Sequence, residues 1–269
     1  MKISYKQPQR TSDVSSANGT AFSEFWKLML SAAVLLVAIY FLWGVIVDAV
    51  VAGISFETEA RLFKSFKPKP AEITRKATLD RFNHARAILH KLQSGRQVPD
   101  LPYDLVLMEQ TAPNAFAIPG GAIGVTSGLL EALSEDIEIA FVIGHELGHF
   151  KHRDHLEGLG RSAGFRLIMA LLFDIGAGSE TFSDVTGFVL ERRYSQNRER
   201  DADRFALELV HEVYGSVDGT DRLFKLLLGK GSIPKWAYMF STHPSPESRI
   251  ADLQAFGAKL MNSTRQATP

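Results

Sequence analysis

The chain of 269 residues has no cysteine. That excludes both a disulfide framework and a thiolate zinc site, and it suits an oxidising compartment. It also has no net charge, with 30 Lys and Arg against 30 Asp and Glu and a pI near 7.1. No basic stripe with interleaved aromatics is visible, so the sequence gives no reason to expect a nucleic-acid partner. Nor is there an internal repeat.

Charge is missing locally as well. Leu28 to Val47 is a run of twenty residues without a charged side chain. As a helix it measures about 30 Å, the thickness of a bilayer's hydrocarbon core. Trp26, Tyr40 and Trp43 lie near its ends, as interfacial aromatics do. The sequence therefore predicts one N-terminal transmembrane helix over residues 28–48, with the lipid bilayer as its partner. A buried core helix and a signal peptide cleaved near Val50-Val51-Ala52 are the alternatives. The polar lead of 27 residues and the long apolar core favour an uncleaved anchor, because signal peptides have short basic leads and apolar cores of roughly 7–15 residues. Basic residues stand on both sides: Lys2, Lys6, Arg10 and Lys27 before, and Arg61, Lys64, Lys67 and Lys69 after. The positive-inside rule gives no clear winner, although Lys27 and Asp48 at the two edges lean towards a cytoplasmic N-terminus.

What the sequence does contain is His145-Glu146-Leu147-Gly148-His149. Two histidines four apart on a helix project from one face and can reach one zinc ion. The glutamate between them is placed to take a proton from attacking water. The segment from Ile137 to Ile143 is mostly apolar, so the helix should be buried nearly all round, and buried histidines need partners. Ser134 is the expected N-cap, with Glu135 and Asp136 in the first turn. His152 shares the face but lies about 10 Å along the axis from His145, too far to bind the same ion. His152 and His155 are therefore read as surface residues.

A zinc site needs a third protein ligand. Glu199 and Asp203, four apart on a helical stretch running into Leu207, Leu209 and Val210, offer one. Glu199 would bind the metal, and Asp203 would accept a hydrogen bond from the far nitrogen of a liganding histidine, His145 by preference. The alternative is a solvated charged face, since Arg198, Arg200 and Arg204 are interleaved.

These residues resemble the HtpX-like and CAAX-prenyl-protease-like family of gluzincin metallopeptidases, which includes the OMA-type proteases of the mitochondrial inner membrane. Four blocks carry the resemblance: Asn114-Ala-Phe-Ala-Ile-Pro-Gly-Gly121, His145 to His149, Glu199 with Asp203, and Ser241-Thr-His-Pro-Ser-Pro-Glu-Ser-Arg-Ile250. The likeness runs from about residue 72 to 256. It implies Zn2+ on His145, His149 and Glu199, with Glu146 as general base. The family's integral-membrane members carry extra spanning helices, which this sequence lacks. The likeness is thus to a smaller, singly anchored branch facing the periplasm or its equivalent, and prenylated substrates are not expected.

The remaining blocks have readings of their own. Residues 104–109, 114–118 and 123–126 read as strands, with Pro119-Gly120-Gly121 turning the chain between the last two. Asn114, Ala115, Phe116 and Ala117 would form an edge strand that pairs with an extended polypeptide substrate. His243, held in a loop by Pro244, could donate to the oxyanion of a tetrahedral intermediate, and Arg249 could steady that loop or the charge.

The expected fold is α+β, a zincin-like (gluzincin) helical core with a small antiparallel sheet. Residues 1–27 form a polar tail, 49–71 a linker marked by Lys67-Pro-Lys-Pro70, and 72–269 the zinc peptidase domain. That domain opens with a helix over 72–93 whose apolar face carries Leu79, Phe82, Ala85, Ile88, Leu89 and Leu92. Further helices are expected at 156–173, 223–228 and 250–260, with 174–184 a candidate lid. The expected function is a membrane-anchored zinc endopeptidase for protein quality control. The rivals are a catalytically silent scaffold or holdase for membrane proteins, and a zinc hydrolase acting on something other than protein.

Overall fold

Short apolar runs and helical apolar periods build a mostly helical protein, with one small sheet among the described residues. The computed structural model describes residues 17–65, 76–173, 195–222 and 246–267. The chain divides into two compact units, residues 1–46 and 47–269.

Helix α1 (Ala17–Gly53) contains the uncharged run. From Phe22 to Gly53 it is long and apolar enough to cross a membrane, with a mean hydropathy of 2.5, and most of its apolar side chains are exposed. Ser55 caps α2 (Phe56–Leu62) by accepting the backbone N–H of Thr58 at 3.1 Å. This helix lies inside the stretch read as a linker. Residues 66–75, with the Lys-Pro-Lys-Pro segment, lie outside the described residues.

The core of the second unit forms around α3 (Lys76–Leu92), whose Phe82, Ala85, Ile88, Leu89 and Leu92 are buried. Leu79, expected on the same face, is 39% exposed; in that first turn Thr78 faces inwards instead. Strands β1 (Asp104–Met108), β2 (Ala115–Ile118) and β3 (Ala122–Thr126) follow. The β2–β3 hairpin is antiparallel, as the Pro-Gly-Gly turn requires, with Ala117 opposite Ile123. The sheet as a whole is mixed rather than antiparallel. Its order is β1-β3-β2, with β1 parallel to β3 and Leu105 opposite Ile123. The hairpin rule fixes only consecutive strands; β3 enters between β1 and β2, which a meander would have left adjacent.

Thr126 then caps the short α4 (Ser127–Ala132), and Arg81 of α3 donates to the carbonyls of Leu130 and Leu133 at its far end. Helix α5 (Asp136–Lys151) is buried along nearly all its length, as its apolar run predicts. Its N-cap is Glu135 rather than Ser134. The Glu138 carboxylate reaches back to the backbone N–H groups of Ser134 at 3.0 Å and Glu135 at 3.3 Å, so the helix starts one residue later. Helices α6 (Asp154–Phe173), α7 (Gln196–Tyr214) and α8 (Pro246–Ala267) follow among the described residues. The expected helix at 223–228 and the lid at 174–184 lie outside the described residues.

The α5–α7 pair is the most extensive helix contact. Small residues four apart allow it. Gly144 and Gly148 of α5 lie against Ala206 and Ala202 of α7, and a Cβ on Gly148 would sit 2.9 Å from the Ala202 Cα. This close approach positions the site, because the chemistry-bearing residues flank these small ones on both helices.

Candidate metal centre

His145 and His149 stand one turn apart on α5, their rings 4.7 Å apart and perpendicular. Glu199, in the first turn of α7, faces them across the close helix contact. The Nε2 atoms of the two histidines are 3.1 Å apart. Glu199 Oε2 lies 3.4 Å from His145 Nε2, and its Oε1 3.6 Å from His149 Nε2. Ligands on a tetrahedral zinc with bonds near 2.0–2.1 Å stand about 3.3 Å apart. The three distances, the last two taken to different oxygens of Glu199, bracket that value, so the donor set fits such an ion. Among the described residues, His145, His149 and Glu199 are the group of ligand-type side chains close enough to share one metal.

Each histidine is oriented from behind. Nδ1 of His145 lies 2.9 Å from Asp203 Oδ1, and Nδ1 of His149 lies 2.9 Å from Asp154 Oδ2. Both rings therefore present Nε2 to the site, the arrangement that fixes tautomer and raises ligand basicity. Asp154 was not anticipated. It follows Arg153, whose φ of 63° turns the chain sharply after α5 and brings the carboxylate back beneath His149.

Arg249 of α8 ties the acids together. Its Nε and Nη2 donate to the two oxygens of Asp203 at 2.8 and 2.6 Å, and its Nη1 lies 2.8 Å from Glu199 Oε2. All of these groups are buried, with Glu199 and His149 at 0% exposure. Burial opposes charge on His145, but the Asp203 and Glu199 carboxylates outweigh it and push its pKa up to about 10. Burial likewise opposes charge on Asp203, yet Arg249 and His145 hold its carboxyl below the usual range. Burial holds the Asp154 carboxyl above its usual range despite Arg198, His152 and His155. Glu146, buried on α5, is close enough to Arg249 to help keep that guanidinium charged.

The sequence profile of Peptidase family M48 matches residues 80–256. The chain belongs to this family. It is 28% identical to mitochondrial metalloendopeptidase OMA1 of Arabidopsis thaliana over 149 residues, which is 55% of this chain and 30% of that one. It is 25% identical to mitochondrial metalloendopeptidase OMA1 of Schizosaccharomyces pombe over 172 residues, 62% of this chain and 50% of that one. With the protease HtpX homolog of Salinibacter ruber it shares 27% over 199 residues, 61% of this chain and 72% of that one. The matched part spans half or less of the OMA1 relatives' length.

Within this M48 chain the structure brings together His145, His149, Glu199, Asp203 and Arg249, with Glu146 buried beside the two histidines in sequence. His243 lies outside the described residues. Ala115, Phe116 and Ala117 form the outer strand β2, buried and packed against α5. Asn114, just before it, is 1% exposed, and both polar atoms of its carboxamide lack a hydrogen-bond partner among the described residues. His152 is exposed, as expected, but His155 is not a surface residue. It is fully buried, with Nε2 2.7 Å from Glu59 and Nδ1 3.2 Å from the His149 carbonyl oxygen. Its place just past α5 suggested solvent; the chain reversal at Arg153 turns it inwards.

Proposed function

We propose that the protein is a membrane-anchored zinc endopeptidase of the gluzincin type. The single observation that carries this reading is the His145–His149–Glu199 triangle, sized for a tetrahedral ion and backed by a carboxylate behind each ring. The nitrogen and carboxylate donors suit zinc, and three protein ligands leave a fourth position for substrate chemistry.

Zinc held there would polarise the scissile carbonyl and favour deprotonation of water. Glu146 takes a proton from the water that attacks the carbonyl carbon and delivers it to the amide nitrogen as the C–N bond breaks. Asp203 and Asp154 keep the rings of His145 and His149 aimed. Arg249 offsets the negative charge of Glu199 and Asp203. His243 is proposed as the donor to the oxyanion, on the strength of its motif alone.

Residues 114–117 are proposed to receive the substrate as an extended strand. Support comes from β2 being outermost in the sheet and from the unpartnered Asn114 amide, a costly feature unless a ligand uses it. The substrates proposed are misfolded membrane or envelope polypeptides. The proposed organisation is a polar tail at 1–27, a single anchor at 28–48, a connecting segment at 49–71 whose helix α2 packs on the catalytic part, and a catalytic domain at 72–269 on the extracytoplasmic side. Glu146 counts against a silent scaffold, which has no use for a base beside a metal.

The test is casein cleavage by the full chain in detergent after stripping with a chelator. Activity lost on stripping and restored by zinc supports the reading. Activity indifferent to chelation would overturn it.

A further inference from the structure

We infer that Glu59 is a positioning residue of the metal centre, and that α2, which follows the apolar helix directly in sequence, is part of the catalytic machinery rather than a linker. The inference rests on the reading of His145, His149 and Glu199 as metal ligands.

Glu59 is 0% exposed and meets Gly120, 61 residues on, and Arg153 and His155, more than ninety residues on. Its Oε1 accepts the backbone N–H of Gly120 at 3.0 Å and lies 2.7 Å from His155 Nε2. Its Oε2 accepts from Arg153. Burial opposes its charge, but His155, Gly120 and Arg153 hold its carboxyl below the usual range. One carboxylate thus joins two segments that matter to the site. Gly120 is in the turn between β2 and β3, and Arg153 to His155 is the chain reversal after α5.

The connection to the metal ligands is short. The last turn of α5 leaves carbonyls without helical partners. His152 N–H goes to Gly148 and Arg153 N–H to Phe150, and the His149 carbonyl is met by His155 Nδ1 at 3.2 Å. So His155 spans from Glu59 to the backbone of a ligand residue. Between Arg153 and His155 lies Asp154, which holds the ring of that same ligand. Arg153 keeps its left-handed φ of 63° while donating to Glu59 and to the Ile54 carbonyl, and its guanidinium lies 3.9 Å from the Phe56 ring centre. Ile54, Phe56 and Glu59 therefore clamp the reversal that aims Asp154.

The other arm of the clamp fits as closely. Gly120 has a φ of +90°, and a Cβ there would sit 2.8 Å from the Phe63 Cβ. A buried ion pair is a weak source of stability but can fix one register among several. Here it fixes the post-α5 reversal and the hairpin turn against one another.

The test uses the full chain in detergent, comparing wild type with Glu59→Ala and Glu59→Gln. Zinc affinity is read by competition with a fluorescent chelator, ligand geometry by the d–d absorption of the cobalt-loaded protein, and folding by thermal midpoint. Loss of an outer partner of a metal ligand typically weakens binding 10–100-fold. Glu59→Ala should fall about in that range with an altered cobalt spectrum. Glu59→Gln, which keeps one acceptor oxygen, should lose less than Glu59→Ala but fall measurably below wild type. Zinc affinity and cobalt spectra matching wild type in both variants would overturn the inference, even with a lowered midpoint, because α2 would then be only a strut. If Glu59→Ala does not fold, Glu59→Gln decides by the same criteria. A wild type that binds neither metal would instead remove the metal-site reading, and this inference with it.

Discussion

At the scale of the residue, the centre is a set of carboxylates around two imidazoles, and its protonation follows from that. In protein stripped by a chelator, His145 has its pKa pushed up to about 10, so at neutral pH it carries its proton. A metal takes only the neutral ring, so binding must expel that proton. Apparent zinc affinity is therefore expected to rise about tenfold per pH unit between about pH 6 and 9 and to level off above about 10. Chelator competition across that range checks it, and a flat profile would contradict the coupling. Asp154→Ala removes the acceptor behind His149 and is expected to weaken zinc about 10–100-fold while leaving the fold intact, read by metal titration and circular dichroism. His145, His149 and Glu199, which the structure brings together, were legible in the sequence because His-Glu-x-x-His and the Glu199/Asp203 pair obey helical spacing. Asp154 was not, because its role depends on the left-handed turn at Arg153, a conformation rarely adopted by residues other than glycine. Glu59 and His155 were not either, since a contact between residues 59 and 155 leaves no local pattern.

At the scale of the element, what makes the site is the distance between α5 and α7. Gly148 and Ala202 meet almost backbone to backbone, and Gly144 and Ala206 meet a turn away. Gly148→Ala puts a methyl 2.9 Å from the Ala202 Cα and 3.1 Å from its carbonyl oxygen, atoms that cannot rotate aside. It is expected to cost about 1–3 kcal/mol of stability by denaturant unfolding. It should also weaken zinc binding, since Glu199 moves away with α7; normal metal affinity in Gly148→Ala would show that the contact does not set the ligand distance. Gly144→Ala, where the nearest approach is 3.3 Å, should cost less. The helices themselves were readable, because burial of α5 follows from its unbroken apolar run and that of α3 from its period. The sheet was only half readable. The Pro-Gly-Gly turn dictates the antiparallel hairpin, whereas the parallel pairing of β1 with β3 depends on how a longer connection routes the chain.

At the scale of the whole molecule, the uncharged run places a membrane-crossing candidate ahead of the M48 domain. The chain's lack of cysteine makes the side testable, since any introduced thiol is unique. Ser94 is exposed at the end of the first core helix. Ser94→Cys is expected to react with an impermeant maleimide on spheroplasts without lysis; labelling only after lysis would put the domain in the cytoplasm. Composition and hydropathy sufficed to propose the anchor, while near-equal basic residues on its two sides left the orientation undecided. The most direct test of the central claim is casein cleavage by the zinc-loaded full chain in detergent, wild type beside Glu146→Gln, with zinc content measured in both. Equal zinc and a rate lower by about 10²–10⁴-fold in the variant are expected. Equal zinc with an undiminished rate would contradict that claim, because Glu146 would then not be the base.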